Sequence, residues 1–133
     1  MSGNRTWIYC RIAHGSVLGQ DAIEIQRRRL EWYAAQHGLT VVGSSEDCQP
    51  GTAMDRPGVQ RMNRAIEQHT VDVVLVFSLD RLCRKIGDAV RYWHYLNKHG
   101  VRLCSVSDGE IDLSMDADSS EWVGAAARAC QVS

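Results

Sequence analysis

Four arginines and two aspartates are the residues of this sequence whose types and spacing can do chemistry together. Arg11 falls in Tyr9-Cys10-Arg11-Ile12-Ala13. Asp47 and Arg56 bracket a stretch containing Pro50-Gly51. Asp80, Arg81 and Arg84 fall in Leu79-Asp80-Arg81-Leu82-Cys83-Arg84. Crowded guanidinium groups repel one another unless an anion is expected. Arginine stays charged, and its planar fork pairs with phosphate oxygens two at a time. Such a group suits a phosphodiester passing through a more negative, pentacoordinate transition state, and it needs no metal. Taken singly, each arginine reads more readily as solvated or paired with Asp47 or Asp80, and surface pairs of that kind contribute little. Their joint placement is what points to phosphate.

That placement depends on the elements around them. Residues 6–12 are rich in β-formers and read as a first strand, and 13–20, with two glycines, as a loop. Residues 21–37 read as a helix with Ile23, Leu30, Tyr33 and Ala34 near one face and Gly38 as its stop. Residues 39–42 read as a second strand, followed by a loop from Ser44 to Arg56. Pro57 can open a helix in which Val59, Met62 and Ile66 share a face. The apolar run Val71 to Phe77 suits a central parallel strand covered on both faces. Asp80 to Lys98 reads as one helix, with a break expected at Gly87, and Gly100 ends it. Val101 to Val106 reads as a fourth strand. An acidic stretch, 107–120, leads to a short final helix bearing Trp122 and Val123. Alternation of this kind predicts an α/β fold on a largely parallel sheet. Ligands of such folds sit outside the carboxyl ends of the strands. Three strand ends then deliver Arg11, Arg56, Arg81 and Arg84, with Asp47 and Asp80 beside them. In a continuous helix, Arg81 and Arg84 share a face at i, i+3.

Composition narrows the classes. The 133 residues suffice for one domain with one core. Hydrophobic residues make up 44% and charged residues 23%, as in an ordinary globular protein. No apolar run approaches membrane-spanning length, so no membrane role is expected, and with no secretory signal recognised a cytoplasmic location is the default expectation. The five cysteines are scattered and form no C-x-x-C pair, which argues against a disulfide framework or a zinc site. No cofactor is expected. The net charge of −1 and a pI of about 6.5 are unlike a stand-alone DNA-binding domain, which is usually basic.

Beyond these single features, the ordered set of motifs resembles the catalytic domain of the serine site-specific recombinases, the resolvase/invertase family. The family's opening Tyr-x-Arg-Val-Ser is similar to Tyr9-Cys10-Arg11-Ile12-Ala13, and its first-helix glutamine to Gln26. Its Asp, Ser-Gly and Asp-Arg-Pro-Gly stretch resembles Asp47, Pro50-Gly51 and Asp55-Arg56-Pro57-Gly58. Its Leu-Asp-Arg-Leu-x-Arg matches residues 79–84. Gly100-Val101-Arg102-Leu103 and then Gly109-Glu110-Ile111-Asp112 resemble its last strand and the segment after that strand. The resemblance covers about residues 6–112. It implies a three-layer sheet of four to five mostly parallel strands with helices on both faces. It assigns residues 1–112 to the catalytic domain and 113–133 to the start of a dimerisation-type helix, with no DNA-binding domain present. It implies DNA as partner and phosphate-binding roles for Arg11, Arg56, Arg81 and Arg84. Asp80 takes an acid–base role, and Tyr9, Gln26 and Asp47 take supporting roles.

The departures are as informative. Ala13 stands where the family has its nucleophilic serine, and Ala22 and Pro50 replace two further serines of the pattern. Three losses together favour a naturally degenerate member over a single deliberate inactivation. Ser16 and Cys10 are the nearby candidate substitutes, with His14 behind them; Cys10 is expected on the opposite side of its strand. Four functions compete: a recombinase domain that has lost cleavage but still binds DNA phosphate or pairs with itself or an active relative, an interaction module keeping only the fold, an active recombinase using Ser16, and a nucleotide-binding or receiver-like domain. The retained arginines favour the first. The last lacks a Gly-rich phosphate loop.

Overall fold

The computed structural model describes residues 3–11, 17–47, 56–83 and 85–113. Among these residues nine elements run in order: β1 (Arg5–Arg11), α1 (Val17–Gln36), β2 (Thr40–Asp47), α2 (Pro57–Glu67), β3 (Val73–Val76), α3 (Leu79–Leu82), α4 (Ile86–Lys98), β4 (Arg102–Ser105) and β5 (Gly109–Ile111). The sheet order is β2-β1-β3-β4-β5. The first four strands are parallel, and β5 turns back antiparallel on β4. The chain steps from β1 to β2 in one direction, then from β2 past β1 to β3 and β4 in the other. Right-handed crossovers therefore place α1 on one face and α2 and α4 on the opposite face. The core divides accordingly. Ile8, Cys10 and Leu75 pack with Ile23, Leu30 and Ala34 of α1. Tyr9, Val74 and Val76 pack with Val59, Met62 and Ile66 of α2 and with Tyr92 and Leu96 of α4. The reversal of direction lies between β1 and β3, which makes their carboxyl ends the topological switch point, where such sheets take ligands.

Helices α1, α2 and α4 stop by the same device. The second residue past each helix end is left-handed: Gly38 at φ 68°, Gly100 at φ 72°, and, without the freedom of glycine, His69 at φ 59°. The next amide then bonds back to the fifth residue before it, as Leu39 N to Ala34 O at 2.8 Å, Val101 N to Leu96 O at 2.8 Å and Thr70 N to Ala65 O at 3.2 Å. This satisfies carbonyls that a helix end would otherwise leave open.

Four boundaries differ from the sequence reading. Helix α1 begins at Val17, inside the expected loop. Strand β2 runs on to Asp47 through Ser44-Ser45-Glu46, which is polar and poor in β-formers. Pairing with β1 decides its conformation, because strand preference is mostly a matter of context. The single expected helix 80–98 is two helices. The break falls at Cys83 (φ −138°, ψ 133°) and Lys85 (φ −98°, ψ 134°), while Gly87 lies inside α4. The helix that carries Arg81 ends at Leu82, and Arg84 lies outside the described residues. Strand β5, Gly109–Ile111, lies within the acidic stretch 107–120, to which the element reading assigned no strand. No helix among the described residues is long and apolar enough to cross a membrane.

Candidate functional site

One irregularity sets the geometry of the site. The β1–β2 register runs Thr6 to Val41 and then Trp7 to Gly43, a slip of one residue. The Trp7 ring occupies the space above Gly43, where a Cβ would lie 2.4 Å from it. Beyond the slip Tyr9 pairs with Ser45 and Arg11 with Asp47. Without it Arg11 would face Glu46, and a one-residue change of register exchanges the faces of a strand. The slip thus brings Ser45 and Asp47 to the face that carries Tyr9. Trp7 Nε1 donates to Ser45 Oγ (2.9 Å), and Ser45 Oγ donates to the Gly58 carbonyl (2.7 Å), which ties both strands to the start of α2.

A buried polar cluster forms around Asp47. The Tyr9 hydroxyl donates to Asp47 Oδ2 at 2.7 Å, and the Gly58 amide donates to Oδ1 at 2.9 Å. Gly58 is the second residue of α2, so the carboxylate also answers the positive end of that helix. Arg56 Nε donates to the Tyr9 hydroxyl at 3.0 Å and lies 3.7 Å from Asp47 Oδ2. Its terminal nitrogen donates to the Leu82 carbonyl at 2.7 Å, and its guanidinium carbon sits 5.8 Å from the Tyr9 ring centroid. Arg56 is 4% exposed. Charges buried this deeply persist only when paired and hydrogen-bonded. Burial first, and then the bond to Asp47, push the Tyr9 hydroxyl well above its ordinary range against the opposing pull of Arg56. Tyr9 therefore stays a neutral donor.

Arg11 ends β1 and is 3% exposed. Its amide donates to Gln26 Oε1 of α1 at 3.1 Å, so the glutamine fixes the strand end from the other layer. The Cys83 thiol lies in the field of both Arg56 and Arg11, which lower its pKa. Burial outweighs them, and with a smaller push from Asp88 the thiol is raised to about 12. Cys10 faces the α1 layer, 1% exposed, and burial and then Glu46 raise its thiol to about 12. A thiol in that state is not a nucleophile near neutral pH.

On α3, Asp80 is exposed and accepts a short hydrogen bond from the Ser78 hydroxyl. Arg81 is partly buried, and its Nε is shielded from solvent with no hydrogen-bond partner among the described residues. Helix α3 follows β3 directly and so stands at the switch point beside the end of β1. The structure thus joins Tyr9, Asp47 and Arg56 directly. Arg11 is linked to Gln26 through its backbone and to Cys83 through its field. Ala13, His14, Ser16, Pro50, Arg84, Trp122, Val123 and the expected C-terminal helix lie outside the described residues, as does the Ala22 side chain. Sequence reasoning missed Trp7, Ser45, Gly58, Cys83 and the Leu82 carbonyl. The one available signal was Gly58 next to a helix-opening proline.

Fold and site together define a doubly wound α/β domain with buried arginine at the switch point of its sheet. The chain belongs to the resolvase family of serine recombinases: the family described as Resolvase, N terminal domain matches residues 6–126. It is similar to the N-terminal catalytic domain of TP901-1 integrase, with 30% identity and a TM-score of 0.71 over 92% of each chain. It is also similar to the C-terminal catalytic domain of ISC1926 TnpA, an IS607-like serine recombinase, at 28% identity and a TM-score of 0.71 over 77% of this chain and 70% of that one. A resolvase family site-specific recombinase from Streptococcus pneumoniae shares the fold, with a TM-score of 0.70 at 24% identity over 94% of this chain and 85% of that one. No curated protein matches the sequence.

Proposed function

We propose that this domain holds a DNA phosphodiester at the β1/β3 switch point and has lost the strand cleavage of its family. The carrying observation is the placement of buried Arg11 at the end of β1, beside α3 with its shielded, unanswered Arg81 Nε. A buried donor without an acceptor is costly, and Arg81 is only partly buried, so its guanidinium can turn that donor toward a phosphate oxygen. Arg11, Arg56, Arg81 and Arg84 supply the positive charge. Asp80 handles protons at the site's edge, and Tyr9, Gln26 and Asp47 hold the strand ends. Ala13 takes the place of the serine in the motif Tyr-x-Arg-Val-Ser, and a methyl group cannot attack phosphorus. Loss of a nucleophile costs on the order of 10⁶ in rate. The domain then acts by binding DNA or by assembling with itself or an active relative, in the cytoplasm.

Covalent trapping tests this. The chain and its Ala13→Ser variant, each fused to a DNA-binding module, are incubated with DNA bearing that module's sites and then denatured. An adduct from the Ala13→Ser protein alone is the expected result. An adduct from the Ala13 chain itself refutes the loss of cleavage and implicates Ser16. No adduct from either, with both bound to DNA, favours an interaction module that keeps only the fold.

A further inference from the structure

Arg56 has the charge to bind a phosphate and the surroundings of a residue that binds something else. Its Nε is engaged by the Tyr9 hydroxyl and a terminal nitrogen by the Leu82 carbonyl, with Asp47 3.7 Å away. An anion reaching this guanidinium would sit against the Asp47 carboxylate and displace buried hydrogen bonds. The acceptor at the far end is the informative one. Helix α3 has four residues, too few to stand as a helix in isolation. Its carbonyls need partners from outside. The Cys83 amide answers Leu79 O at 3.0 Å, and Arg56 answers Leu82 O. Leu82, fully buried, is the residue next to Arg81.

We infer that Arg56 is a positioning residue that clamps the end of α3 to the sheet through the Leu82 carbonyl, so that Arg81 rather than Arg56 meets the bound phosphate. The clamp rests on the observed hydrogen bonds; its use in anion binding rests on the phosphate-site reading above. The path is short: Asp47 and Tyr9 fix the guanidinium, the guanidinium fixes the last carbonyl of α3, and Arg81 lies on that same turn. A lysine cannot span both acceptors, because its ammonium lacks the planar fork. Charge and clamp are therefore separable.

The experiment compares Arg56→Lys, Arg56→Gln and Arg81→Gln by amide hydrogen exchange and by the salt dependence of binding to a short DNA duplex. Arg56→Lys is expected to speed exchange at residues 79–83 about tenfold or more while the amides of β3 keep their protection. It weakens duplex binding without changing the slope of log affinity against log salt. Arg81→Gln lowers that slope by about 0.9, the signature of one lost phosphate contact. Parent-like exchange at 79–83 in both Arg56 variants overturns the clamp. A slope lowered equally by Arg56→Gln and Arg81→Gln overturns the division of roles. If the Arg56 variants do not fold, Tyr9→Phe, which removes one hydroxyl from the clamp, must speed the same amides several-fold, and parent-like exchange there overturns it. If the parent binds no duplex, the phosphate reading fails, and the exchange measurement alone decides the clamp.

Discussion

Two glycines occupy equivalent helical positions and should respond to the same substitution with opposite signs. Gly58 is the second residue of α2 and Gly87 the second residue of α4. Alanine in place of glycine within a helix ordinarily stabilises by roughly 0.5–1 kcal/mol. At Gly87 nothing opposes this, since a Cβ would meet only the Arg91 guanidinium, at 3.6 and 3.9 Å, which is ordinary contact. At Gly58 a Cβ would lie 2.6 Å from Asp47 Oδ2 and 2.9 Å from both Asp47 Cγ and the Glu46 carbonyl. None of these is the loose end of a flexible chain. Asp47 is held by Tyr9 and by the Gly58 amide itself, and Glu46 is paired in β2. Forcing a methyl into packed surroundings costs about 1–3 kcal/mol. Moving the carboxylate off the Gly58 amide forfeits a charged hydrogen bond of about 1.5–3 kcal/mol. Against a helical gain of at most about 1 kcal/mol, these costs leave Gly58→Ala less stable by about 1.5 kcal/mol or more, while Gly87→Ala gains up to about 1 kcal/mol. Urea unfolding at matched m-values reads the difference directly. Gly58→Ala as stable as Gly87→Ala would refute the packed contact between Asp47 and α2, and with it the geometry assigned to the Tyr9–Asp47–Arg56 cluster.

Three further results are expected. Cys10 and Cys83 should resist alkylation in the native state at mildly alkaline pH and react on unfolding; native labelling detected by mass spectrometry would contradict their burial. Their folded pKa values, about 12, lie above the ordinary thiol value of 9.0. The stability they contribute is thus complete below pH 9.0 and is lost as pH rises from there toward about 12, because the unfolded state releases its protons first; a thermal melting series across that interval checks the sign. His69→Gly should stabilise the end of α2 by roughly 0.5–1 kcal/mol, since His69 is exposed and left-handed, and an unchanged or lowered Tm would show that its side chain contributes more than its backbone costs.

The sequence by itself determined the class of fold and the buried faces. Val59, Met62 and Ile66, the run Val73 to Val76, and Ile23 with Leu30 and Ala34 are core because periodicity is a local property that burial reads directly. It also placed Arg11 at the end of β1 and Arg81 just after β3, since the alternation of elements fixes which end of the sheet collects them. Tertiary structure alone decided how those residues divide the work. The strand from Ser44 to Asp47 exists because β1 pairs with it, and the slip at Trp7 and Gly43, invisible in propensities, turns Asp47 toward Tyr9. The break at Cys83 ends the helix of Arg81 after one turn, where local periodicity read a helix running on to Lys98. The burial of Arg56 follows from Tyr9, Asp47 and the Leu82 carbonyl, residues up to 47 positions away in the chain. Charge and residue type are written locally. Whether a guanidinium faces an anion or a backbone carbonyl depends on contacts between distant segments, which form only when the sheet closes over them.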